Sequence, residues 1–153
     1  MICTTLQSLR LASLGLLISL AIPVQAQEAA PATQTLVQQG QYLARAGDCT
    51  SCHTAQNGQP YAGGFRLDTP FGYLLAPNIT PDKQTGIGNW SADDFYRALH
   101  DGVNKKGQYL FPAMPYTSYT KVTRADSDAL FAYLMSLPPV SNAVEVNHLQ
   151  PPF

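Results

Sequence analysis

The sequence predicts an all-α domain of short helices joined by long loops. Apolar residues recur at helical spacing in three separate stretches, around Leu36, Phe95 and Leu130. Between them lie segments rich in Gly and Pro, at 58–64, 69–72, 78–88 and 107–115, and no run alternates as a strand would. Three short helices cannot bury the apolar residues held in those loops, and loops this long in a compact domain need something to wrap. A large, flat, apolar prosthetic group would supply that core.

The N-terminus bounds where such a domain works. Arg10 precedes an uncharged apolar run over 11–24, and Val24-Gln25-Ala26 places small residues where a signal peptidase needs them. The run is shorter than the roughly 20 residues that span a bilayer, and Pro23 interrupts its end, so it reads as a cleaved signal over 1–26 and not as a membrane anchor. The mature protein is then expected in the periplasm. Residues 27–153 suffice for one domain with a modest core. The chain has 9 Lys and Arg against 10 Asp and Glu, a net charge of −1. Losing Arg10 with the signal makes it more negative by one, and no strong field favours nucleic acid. Cys3 leaves as well. The mature chain keeps Cys49 and Cys52, two residues apart in an exported protein, which is not a disulfide framework.

Residues 27–34 are polar and small, with Pro31, and read as a flexible leader. The domain is expected over 35–140, beginning near Leu36. There Leu36, Gly40, Leu43 and Ala44 share one helical face, with Gly40 small enough to let another helix approach closely. Ser91, three residues before Asp94, reads as the N-cap of a helix that ends at Gly102. Thr123 and Asp126 repeat the pattern. The helix they open carries Leu130, Tyr133, Leu134 and Leu137 on one side and is stopped by Pro138-Pro139. Residues 141–153 read as a Pro-containing tail or the start of an interdomain linker.

Cys49-Thr50-Ser51-Cys52-His53 carries the chemistry. Two thiols at this spacing near a helix end can each bond one vinyl group of a haem, and the adjacent imidazole reaches the iron from the same side. A thioredoxin-like dithiol shares the Cys-x-x-Cys spacing but follows an apolar strand, whereas an amphipathic helix comes first here. A structural zinc site needs two further ligands, and the mature chain offers only His100 and His148. The pattern therefore points to one covalent haem c.

One histidine leaves the opposite face of the iron open, and the candidates to fill it are Met114, Met135, His100 and His148. Met114 lies between Pro112 and Pro115, which hold the backbone and so cheapen the ordering of a thioether. Met135 sits mid-helix as packing or solvent-facing material. His100 falls in the last turn of the Ser91 helix, where an imidazole suits the dipole, and His148 lies in the tail. His53 and Met114 are thus the expected axial ligands, since His/Met ligation raises the potential and closes the iron to substrates. Trp90 and Asn78 lie where a loop would pass the haem edge, as donors to propionates or loop carbonyls, or else as core and turn residues. Pro60, shortly after His53, is a candidate carbonyl partner for the second His53 nitrogen, a role that any nearby carbonyl can fill.

The chain resembles a known family at this point. Tyr42-Leu43-Ala44-Arg45-Ala46-Gly47-Asp48 before Cys49, Ala62-Gly63-Gly64, Thr69-Pro70-Phe71-Gly72, Asn78-Ile79-Thr80-Pro81-Asp82, Thr85-Gly86-Ile87-Gly88 before Trp90-Ser91, Pro112-Ala113-Met114-Pro115-Tyr116 and Ser136-Leu137-Pro138-Pro139-Val140 carry the likeness. They are similar to the haem domains of cytochrome c subunits of bacterial membrane-bound quinone-reducing dehydrogenases for alcohols, gluconate and sorbitol. The resemblance runs over about 39–140. It implies an all-α cytochrome c domain attached to haem through Cys49 and Cys52, ligated by His53 and Met114, and fed by a flavin, quinoprotein or molybdenum dehydrogenase. Such subunits generally carry three haem domains and a membrane helix. This chain carries one such region, either as part of a multi-haem subunit or as a single-haem relative.

The expected function is a non-catalytic periplasmic electron carrier, one haem edge exposed. It would accept electrons from a dehydrogenase subunit and pass them to a quinone, a cytochrome or an oxidase, meeting the membrane only through a partner. A haem enzyme or sensor with an open sixth site is the alternative, and a thiol–disulfide oxidoreductase a distant one.

Overall fold

The computed structural model describes residues 32–145 and 148–151. The signal over 1–26 lies outside the described residues. The first helix, α1, spans Ala32–Ala46 and so starts ahead of Leu36. Its opening turn is exposed, which is why the polar residues there read as leader. Gly40 and Ala44 are its buried residues. A Cβ on Gly40 would stand 1.9 Å from the carbonyl oxygen of Ala129, so the expected close helix approach occurs at this residue.

Asp48, left-handed at φ 53°, turns the chain into α2, a single turn over Cys49–Cys52. Next comes an element the sequence does not reveal. Strands β1 (Arg66–Thr69) and β2 (Gly72–Leu75) form an antiparallel hairpin in which Arg66 faces Leu75 and Thr69 faces Gly72. The expectation that no run forms a strand is therefore wrong here. Four residues a side are too few for alternation to register against Asp68 and Pro70, both poor strand formers. Thr69 closes the turn by accepting from the Phe71 amide at 3.1 Å and donating to the Gly72 carbonyl at 2.9 Å.

Helix α3 (Ala92–His100) opens on a full capping box, the Ser91 hydroxyl accepting from the Asp94 amide and the Asp94 carboxylate from the Ser91 amide. The chain leaves α3 through Gly102 at φ 67°. A one-turn helix, α4 (Tyr116–Tyr119), follows the Met114 loop. Helix α5 (Arg124–Met135) is capped by Thr123, which accepts from the Asp126 amide. Beyond it the chain runs back to the hairpin, where β3 (His148–Leu149) pairs with β2 to give the order β1-β2-β3. The fold is mostly short helices and loops with this one small sheet.

Two apolar clusters form the core. Ala44, Leu99 and Leu130 join α1, α3 and α5. Tyr61, Ile87 and Leu134 tie the long loops to α5. Neither cluster fills the space between α2, the hairpin and the Met114 loop. That space is a cleft.

Candidate functional site

The cleft has a volume of about 540 Å³. Cys49, Cys52, His53 and Met114 all line it, against walls that include Leu74, Ile79, Leu99 and Leu130. Among the described residues no Lys or Arg lines it. Both thiols are free, Cys49 half-buried and Cys52 exposed. Loss of water around Cys49 pushes its thiol above the ordinary thiol value.

His53 ends α2, its amide donating to the Cys49 carbonyl at 3.0 Å. Its Nδ1 lies 2.9 Å from the carbonyl oxygen of Pro77. A carbonyl can only accept, so Nδ1 carries the proton and Nε2 keeps its lone pair for a metal. Desolvation in the apolar wall holds the ring below its ordinary value, against the opposing pull of the Pro77 carbonyl. A neutral imidazole is the form that ligates iron.

The candidate partner, Pro60, is replaced by Pro77. Pro60 is exposed, and the chain turns inward only after it. The segment at 76–79 is then laid along 61–64, with the Gly64 amide donating to Ala76 at 2.8 Å and the Ile79 amide to Tyr61 at 2.9 Å. The Gly63 amide donates in turn to the His53 carbonyl at 2.8 Å, which places the second strand of the loop beside the imidazole. Proximity in space, not in sequence, chooses the carbonyl.

Met114 is half-buried against the Ala44, Leu99 and Leu130 cluster. Its amide donates to Phe111 at 3.0 Å and its carbonyl accepts from Tyr116 at 2.7 Å, so hydrogen bonds close the loop on either side of it. The other three candidates stand elsewhere. Met135 does not line the cleft. His100 stacks on Tyr96 and sits 2.7 Å from Asp101. His148 lies against Tyr73 across the β2–β3 pair, ring centres 4.7 Å apart and planes tilted by 32°.

Asn78 and Trp90 both line the cleft. Asn78 is buried, and its amide donates to the Val140 carbonyl at 2.8 Å and to the Thr85 hydroxyl at 3.0 Å. Of the expected partners it thus has the loop carbonyl. Trp90 packs against the Tyr61, Ile87 and Leu134 cluster, as a core residue does. Sequence reasoning passes over Pro77 and Val140, because nothing local marks a residue whose partner, His53 or Asn78, lies far along the chain.

The donor set suits haem c. Two thiols on one turn, an imidazole with a free Nε2, a thioether and apolar walls share one cleft. A thioredoxin-like reading would need a strand before Cys49, and α1 stands there instead.

A family model described as Cytochrome c matches residues 37–138. The chain is 53% identical over 113 residues to the gluconate 2-dehydrogenase cytochrome c subunit of Pantoea cypripedii, covering 73% of this chain and 26% of that protein. It is 42% identical over 124 residues to the cytochrome c subunit of the quinone alcohol dehydrogenase of Gluconobacter oxydans, covering 81% of this chain and 25% of that one. The fructose dehydrogenase cytochrome subunit of Gluconobacter japonicus is 41% identical over 118 residues, 75% of this chain and 24% of that protein. The chain thus spans about a quarter of the length of each of these relatives.

Proposed function

Because this chain belongs to the cytochrome c family, we propose that it holds one covalent haem c and carries electrons for a dehydrogenase without turning over an organic substrate itself. The observation that carries this reading is the meeting of Cys49, Cys52, His53 and Met114 on one apolar cleft. Cys49 and Cys52 are the attachment thiols, and His53 and Met114 the axial ligands. The haem supplies a one-electron iron couple.

Each residue then has a definite task. The α2 turn presents both sulfurs on one side, and His53 follows them with its Nε2 free because Nδ1 is spent on Pro77. Met114, held by its flanking hydrogen bonds, would supply the second ligand to the iron and leave a substrate no position there. With apolar walls around it, the group's potential would be tuned by the ligands and their hydrogen-bond partners.

The donor is a dehydrogenase subunit, as the names of the relatives suggest, and the acceptor a quinone, a cytochrome or an oxidase. The carrier is exported to the periplasm by residues 1–26 and meets the membrane only through its partner. Its encounters are transient, burying under about 1,200 Å².

A spectrum tests the whole. The denatured pyridine haemochrome should show both vinyl groups saturated and one haem per chain, and the oxidised native protein should show the sulfur-to-iron band at the red end. Fast carbon monoxide binding by the reduced, unmutated protein would overturn the electron-carrier reading in favour of an open-site haem protein.

A further inference from the structure

The carbonyl that fixes His53 belongs to a peptide unit with no freedom of its own. Pro77 C=O and Asn78 N–H lie in one planar group, so whatever holds Asn78 also aims that oxygen. Three things hold it. The Asn78 carboxamide oxygen accepts from the Thr80 amide at 2.9 Å and from the Thr80 hydroxyl at 2.7 Å. Its NH₂ donates to Val140 and to Thr85, as described above, and the Thr85 hydroxyl accepts from the Asn142 amide at 3.0 Å. Behind the peptide stands Gly63, at φ 76°, where a Cβ would come within 2.5 Å of both the Pro77 carbonyl carbon and the Asn78 nitrogen.

We propose that Asn78 is a positioning residue for the axial imidazole, a side chain that sets the potential of the iron through the Pro77 carbonyl while touching no ligand itself. This rests on the axial role given to His53 above. The argument is one of satisfied capacity. Asn78 has a carbonyl oxygen and two N–H groups, and Thr80, Thr85 and Val140 use all of them in a site where it is only 3% exposed. A buried amide so fully bonded has one orientation, and it transmits that orientation to the peptide before it. The Nδ1–H···O bond to Pro77 makes the imidazole a stronger electron donor and favours oxidised iron. Slack in the Asn78 clasp therefore weakens the donor and raises the potential. Val140 and Asn142 bond the chain leaving α5 to the same node.

The test uses the haem-loaded protein and four variants. Asn78→Ala removes the clasp, Thr80→Val removes the hydroxyl donor while keeping the shape, Thr80→Ser retains it, and Ser91→Ala is the loss of a helix cap whose side chain bonds Asp94 and no member of the node. Two quantities are read: the midpoint potential, and the solvent exchange of the His53 Nδ1 proton by NMR of the reduced protein. Asn78→Ala and Thr80→Val should speed that exchange about tenfold or more. They should also raise the potential by up to about 59 mV, a tenfold change in a one-electron equilibrium. Thr80→Ser and Ser91→Ala should leave both near wild type. If Asn78→Ala yields no holoprotein, the contrast between Thr80→Val and Thr80→Ser decides. Stability losses in Asn78→Ala and Thr80→Val with exchange and potential unmoved would make Asn78 a structural residue only, as would a Ser91→Ala shift of equal size. His53→Ala separates the two claims. If it leaves the wild-type spectrum intact, the axial assignment fails; if it abolishes the spectrum while Asn78→Ala shifts nothing, only the role of Asn78 fails.

Discussion

The Tyr119 hydroxyl donates to the carbonyl oxygen of Gly47 at 3.0 Å, joining the turn before Cys49 to the helix after Met114. The bond ties together the two segments that bring the sulfurs, the imidazole and the thioether to the cleft. Burial pushes the phenol up, so it stays a donor throughout the working range. Tyr119→Phe should cost about 0.5–1.5 kcal/mol, the net worth of such a bond. A urea titration read by tryptophan fluorescence should show a lower midpoint with an unchanged slope.

Under the proposed attachment, each of the two thiols carries its own bond to the haem. Cys49→Ser or Cys52→Ser should leave at most one thioether and lower the yield of folded protein, since the proposed haem would fill the cleft that the two apolar clusters leave open. The double variant should lose covalent haem entirely. Undiminished haem stain of the double variant on a denaturing gel would contradict this.

Met114→Ala should lower the midpoint potential, by on the order of 100 mV out of the roughly 0.8 V that axial ligands span, and open the iron to carbon monoxide. Met114→His should keep the iron closed and still lower the potential. Met135, which does not line the cleft, is the control. Met135→Ala should cost some packing and leave the spectrum unchanged.

Asp94 gives a pH signature. Hydrogen bonds from the Ser91 amide, then the Ser91 hydroxyl and Arg97, hold its carboxyl below the ordinary range. Because the folded value lies below the unfolded one, the capping box stabilises fully above about pH 4 and loses its contribution as the pH falls below that. Scanning calorimetry between about pH 5 and pH 2 should show a steeper fall in melting temperature for the wild type than for Asp94→Asn.

Gly40→Ala should be among the most damaging single methyl additions in the chain. The new carbon would meet backbone, the Ala129 carbonyl, with no flexible side chain to give way. A cost of about 3 kcal/mol or more is expected from such overpacking, read as a loss of soluble holoprotein and a drop in thermal midpoint.

What is legible in the sequence is what depends on near neighbours. Ser91 with Asp94 and Thr123 with Asp126 reveal helix starts because the capping bonds run over three residues. Cys49, Cys52 and His53 stand out because their chemistry needs that spacing, and Met114 because prolines bracket it. The hairpin is hidden by its brevity, and β3 by depending on a strand far earlier in the chain. Pro77 displaces Pro60 for the same reason, as which carbonyl meets His53 is settled only when 76–79 folds back along 61–64. Tyr119 carries no local mark at all, since its partner is Gly47.

The seat of α5 on Gly40 sets an order of assembly. The first and last helices of the core are mutual supports, so under the proposed export neither is secure until the chain through Ala129 has been delivered across the membrane. Cys49, Cys52 and His53 emerge long before that, on a chain that has not yet closed. Docking of α5 against α1 is the later event, and it brings Leu130 and Leu134 to the wall of the cleft.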